Sequence, residues 1–163
     1  MVQEGPRFEL VEHAALRVLE FAGFAFPPGG AFAVGWPTAP GDTRRDAAGR
    51  PTLLHFAAAR WLVPSPAADV TALVVAAEES AAGTAIDATG KWREYTLSGP
   101  DAVRVLGCSI DSVAVLAGRE CAAVVLFDSP CVLARTPGGY AIWVRSSFAV
   151  DFAAAIDRLR TAG

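Results

Sequence analysis

Cys108, set between Gly107 and Ser109 with Asp111 three residues on, has the surroundings that come closest to those of a nucleophile. A nucleophilic cysteine needs a base to form thiolate and a dipole or cation to hold it. The chain offers only His13 and His55, both far upstream. The stretch "SGPDAVRVLGCS" (98–109) predicts a helix, with Ser98 as N-cap, Pro100 and Asp101 in the first turn, and Gly107 ending it. Cys108 then lies past the C-terminal end, where the partial negative charge raises a thiol pKa. That placement favours a turn or buried cysteine over a catalytic one.

Among the acids, Asp87, Asp101 and Asp111 stand nearest this motif, and acid–base work would need two of them to converge in a pocket. Asp101 reads as a first-turn helix acid and Asp111 as a turn acid. Asp87 can approach a ligand from a strand end, which makes it a candidate weak ligand site. Its simpler role is to hydrogen-bond the Thr89-Gly90 turn. His13 and His55 have apolar neighbours and no second ligand three or four residues away, which argues against a metal. Cys108, Cys121 and Cys131 are odd in number and form no C-x-x-C pair, so neither a zinc site nor a disulfide framework is expected. There is no G-x-G-x-x-G, P-loop, H-E-x-x-H or G-x-S-x-G, so no catalytic, cofactor or metal residue is assigned. Two residues suit contact with another molecule. Trp36, in a loop-rich stretch, is a candidate interface anchor. Arg145, on a strand, could clamp a carboxylate or serve at an interface.

The elements that must carry these residues follow from spacing. Residues 8–23 read as strand or short helix. The prolines and glycines of 26–51 leave room for little more than a short strand at 31–36. Leu53–Ala57 and Trp61–Val63 form a hairpin, 67–83 a helix stopped by Gly83, and the segments flanking Gly90 two antiparallel strands. Runs 119–128, 130–137 and 139–147, broken at Ser129-Pro130 and Gly138-Gly139, make a meander. Phe148, Phe152, Ile156 and Leu159 give a closing helix. The expected fold class is α+β, a largely antiparallel sheet with helices on one face, in a single domain spanning residues 1–163.

With 163 residues, 53% of them apolar and 19% charged, the chain has either a large core or an apolar face left for a partner. A net charge of −3 lacks the basic stripe of a nucleic-acid binder. No apolar run approaches the roughly 20 residues of a membrane span, and no secretory signal is visible. The expected location is cytoplasmic.

Four segments occurring in order, "ARWLVPSP" (59–66), "IDATGKWREYTLSGPDAVRVLGCSID" (86–111), "RECAAVVLFDSPCVLAR" (119–135) and "YAIWVRSSFAVDFAAAI" (140–156), resemble the gamma subunit of heterotetrameric sarcosine oxidase. Residues 1–51 match poorly, and Ala59-Arg60 stand where that family has an acidic residue. The resemblance implies a fold similar to the aminomethyltransferase, folate-binding domain of the glycine-cleavage T-protein. It also implies an accessory chain without catalytic residues, in a complex that demethylates sarcosine oxidatively. Flavin, nicotinamide, folate and zinc would sit on the alpha, beta and delta subunits. In isolation the chain is expected to cover its apolar face with a second copy, most simply as a two-fold dimer. The alternative expectation is a stand-alone folate-type small-molecule binder.

Overall fold

Five consecutive residues of one C-terminal strand, Tyr140 to Val144, are buried without a break. Side chains alternate between the faces of a sheet, so this pattern requires cover on both. The computed structural model describes residues 7–13, 17–23, 37, 39–64, 79 and 83–161, and it shows what supplies that cover. In chain order the strands are β1 (Glu9–His13), β2 (Val18–Gly23), β3 (Thr43–Arg45), β4 (Pro51–Ala57), β5 (Arg60–Pro64), β6 (Gly83–Asp87), β7 (Trp92–Ser98), β8 (Cys121–Leu126), β9 (Ser129–Thr136) and β10 (Gly139–Arg145). The helices are α1 (Ala102–Gly107), α2 (Ser112–Val115) and α3 (Ala149–Thr161), the last entered through a 3-10 turn at Ser146–Phe148.

One sheet has the order β1-β7-β10-β9-β8 and the other β3-β4-β5-β2-β6. All their pairings are antiparallel. The fold is α+β, as expected, but with two sheets where the sequence suggested one. Tyr140, Ile142 and Val144 face a core shared with Val105 and Leu106 of α1 and Phe152 and Ile156 of α3. Ala141 and Trp143 face the second sheet, packing with Val18, Leu54 and Leu62. The helices thus cover one face of the first sheet and the second sheet covers the other. Complete burial of Phe152 and Ile156 stabilises the α3 contact by roughly 1.5–3 kcal/mol each.

The meander and the closing helix form as the spacing predicts. The β8-β9 turn falls slightly earlier than expected, on Phe127 (φ 48°) and Asp128 (φ 62°), while Ser129 and Pro130 open β9. Two left-handed residues in succession match the twist of a tight hairpin. Gly139 (φ 154°) lies so close to β7 that a Cβ would run into the Leu97 carbonyl. Only glycine lets β10 begin there.

Elsewhere the chain departs from expectation. Residues 8–23 contain two strands that belong to different sheets. The strands flanking Gly90 are not a hairpin: β6 pairs with β2, and β7 pairs with β1 and β10. The Gly90 turn (φ 85°) therefore carries the chain from one sheet to the other. Ser98 ends β7 instead of capping α1. Asp101 occupies the N-cap position without a side-chain capping bond, and its carboxylate accepts from the Arg7 N–H at 2.7 Å. Within the Pro/Gly-rich stretch, β3 and the start of β4 are joined by a turn in which the Asp46 carboxylate accepts from the N–H groups of Ala48 and Arg50. The strand expected at 31–36 and the helix expected at 67–83 lie outside the described residues, apart from Glu79 and Gly83. Gly83 opens β6.

Candidate functional site

Antiparallel register aligns side chains in rows across the first sheet. On the face turned to the second sheet, Val125 stands opposite Pro130 and Arg145 opposite Trp92. The neighbouring row runs Ala123, Val132, Trp143, Glu94, His13 over all five strands. Beside Phe56 of β4, the second sheet leaves part of these rows uncovered. A groove of about 440 Å3 remains, walled chiefly by Phe56, Trp92, Val125, Val132 and Arg145.

Among the described residues lining this groove, Arg145 is the one that is charged. Its guanidinium carbon lies 4.2 Å from the centroid of the Trp92 ring, a cation–π stack. Its Nη1 lies 3.1 Å from Oε1 of Glu20, and Trp92 Nε1 donates to the same oxygen at 2.6 Å. Glu20 belongs to β2, so its carboxylate reaches from the second sheet into the first. A carboxylate buried to this degree, 9% exposed, requires such partners. Arg145 does clamp a carboxylate, and that carboxylate belongs to the same chain. Sequence reasoning missed Glu20; its signal was a lone acid inside the apolar run "VLEFAG".

In the next row, Trp143 Nε1 donates to Glu94 Oε2 at 3.1 Å. Burial raises the Glu94 pKa above the ordinary carboxylate value, with His13 and the Trp143 N–H opposing it. His13, directly across the strand pair, shares a 2.7 Å hydrogen bond with the Thr96 hydroxyl. On the helical face, a cleft of about 540 Å3 separates β1 and β7 from the start of α3. Its polar groups are engaged: Arg93 Nε lies 4.0 Å from Glu12, the Tyr95 hydroxyl lies 3.4 Å from the same carboxylate, and Asp157 pairs with Arg160 at 3.2 Å.

The remaining sequence-selected residues are scattered. Cys108 is exposed just past α1, and its N–H donates to the Val105 carbonyl. Gly107 closes that helix without a left-handed φ. Both histidines lie away from Cys108: His13 bonds Thr96 on the face of the first sheet turned from the helices, and His55 stacks on Trp61 of the second sheet at 4.3 Å. Among the described residues neither ring nitrogen of His55 meets a partner with full hydrogen-bond geometry, and burial lowers its pKa against the opposing pull of the nearby Pro37 and Ala39 backbone. Cys121 and Cys131 are buried in strands, and desolvation pushes each thiol up to about 12. Asp87 accepts from the Thr89 N–H at 2.9 Å, and hydrogen bonds with Thr89 lower its pKa. It does not line the groove. Asp111 caps α2, accepting from the Ala114 N–H at 3.0 Å. Trp61, Trp92 and Trp143 are buried, and Trp36 lies outside the described residues. Among the described residues no group of three His, Cys, Asp or Glu side chains could hold a metal ion, and no helix is long and apolar enough to cross a membrane.

A scan against protein-family models gave no match, and a search of curated proteins gave none. Solved structures did match. The chain is similar to a chain of the heterotetrameric sarcosine oxidase from Corynebacterium sp. U-96, determined in complex with pyrrole 2-carboxylate. The TM-score is 0.75 at 21% sequence identity, over 95% of this chain and 84% of that one. The two chains share a fold.

Proposed function

We propose that this protein is a non-catalytic, gamma-type accessory subunit of a cytoplasmic, heterotetrameric sarcosine oxidase-like flavoenzyme. Its partners would be the alpha, beta and delta chains, which would hold the flavin, nicotinamide, folate and zinc. The observation that carries this reading is the likeness, over 95% of the chain, to one chain of a heterotetrameric sarcosine oxidase. The side chains singled out for chemistry support it by their engagements: Asp111 caps a helix, Asp87 holds a turn, and Cys108 is separated by a sheet from both histidines. The complex would demethylate sarcosine oxidatively, with this chain contributing assembly and with Trp36 as a proposed anchor. Expressed alone, it would pair with a second copy.

The test is co-expression with the three larger-complex chains from the same host, with and without this one. A stable four-chain flavoprotein that oxidises sarcosine and falls apart without this chain is the expected result. A complex of the other three that is equally stable and active, with this chain eluting separately, would overturn the assignment.

A further inference from the structure

The groove beside Phe56 is apolar on its described walls except where Arg145 stands. The guanidinium is held in one plane by its stack on Trp92 and by Glu20 at Nη1. Its Nε and Nη2 groups have no acceptor among the described residues, and the side chain remains 37% exposed. A planar fork of N–H donors, fixed before anything binds, matches a carboxylate or a phosphate, and the apolar walls with Glu20 close by favour the singly charged carboxylate. The volume, about 440 Å3, falls within the range of small-ligand sites. Buried Trp92 and Val132 form the floor, and half-buried Phe56, exposed Pro130 and Val125, 57% exposed at the rim, supply the apolar walls that such a ligand would touch.

We propose that this groove binds a small apolar monocarboxylate, its carboxylate on the free Nε/Nη2 edge of Arg145 and its hydrocarbon or aromatic body between Phe56, Pro130 and Val125, over the floor of Trp92 and Val132. Glu20 sets the charge selectivity. It already balances the guanidinium, so attraction comes from directed hydrogen bonds, and a second negative charge on the ligand would meet repulsion without gaining a donor. An amine of the same shape would place its cation against the guanidinium.

The test is calorimetric titration of the purified full-length chain with phenylacetate, 2-phenylethanol and phenethylamine, three probes with one body and different head groups. Phenylacetate should bind saturably at one site, at least about tenfold more tightly than either of the others. Arg145→Lys, which keeps a cation beside Glu20 but loses the fork, should weaken phenylacetate about tenfold. Val125→Trp, at an exposed position that tolerates the change, should close the rim and abolish binding, with circular dichroism unchanged. Absence of saturable phenylacetate binding, equal affinity for the alcohol, or binding undiminished in both variants would each overturn the proposal.

Discussion

Glu20 and Arg145 form an ion pair whose two ends differ in their access to water, and this predicts an asymmetry between single substitutions. The Glu20 side chain is 11% exposed and that of Arg145 37%. In Glu20→Gln the guanidinium loses its partner but can rehydrate, and the new amide oxygen still accepts from Trp92 Nε1. The cost should be about 1–2 kcal/mol, the range of one charged hydrogen bond discounted for exposure. In Arg145→Met the carboxylate is left where water hardly reaches, with one hydrogen bond from Trp92. Stranding a buried charge costs up to about 3–5 kcal/mol, so a loss near 3 kcal/mol is expected. Combining Glu20→Leu with Arg145→Met removes both charges and orphans only the indole N–H. The double variant should therefore be more stable than Arg145→Met alone. Urea unfolding followed by far-ultraviolet circular dichroism measures this as a shift in midpoint at constant m-value. The reasoning fails if Arg145→Met costs no more than Glu20→Gln, or if the double variant is no more stable than Arg145→Met.

Three further outcomes concern the titratable groups. Because burial raises the folded-state pKa of Glu94, its contribution to stability is full below the ordinary carboxylate value, about 4.3, and is lost as pH rises through the folded value. Glu94→Gln should thus raise stability near neutral pH by roughly 0.5–1 kcal/mol while changing little near pH 4, and an equal effect at both pH values by calorimetry would contradict this. In the native protein a thiol reagent should titrate Cys108 alone, with Cys121 and Cys131 appearing only on unfolding. Cys108→Ser should cost less than about 1 kcal/mol, and three thiols reacting at once in the native state would be incompatible with the strand burial described.

What was legible in the sequence was what is local. The meander and α3 declare themselves because each depends on neighbours a few residues away: the turns before Ser129 and at Gly138-Gly139, and the spacing of Phe152 and Ile156. The Gly90 turn was misread because a tight turn looks the same in sequence whether it joins paired strands or carries the chain between sheets. Arg145 could be singled out by type and position. Its partner could not, since Glu20 meets it only through the stacking of two sheets whose register no short-range pattern encodes. The groove escaped for the same reason, being formed where Phe56 of one sheet overlies strands of the other.

The adjacency of β1 and β7 has a consequence for the order of folding. His13 and Thr96 touch although they are 83 positions apart, and the whole second sheet is threaded between them. Topologically that sheet is an excursion inserted into a hairpin. Closing an unstructured loop of that length costs about 4 kcal/mol of chain entropy, whereas β8, β9 and β10 close on turns of a few residues. The segment from β8 to α3 can therefore assemble first, with β1 joining only once the excursion has folded and drawn its ends together. During synthesis β1 emerges before the rest of its sheet and settles after it, and its amides should be the earliest of the first sheet to exchange with solvent.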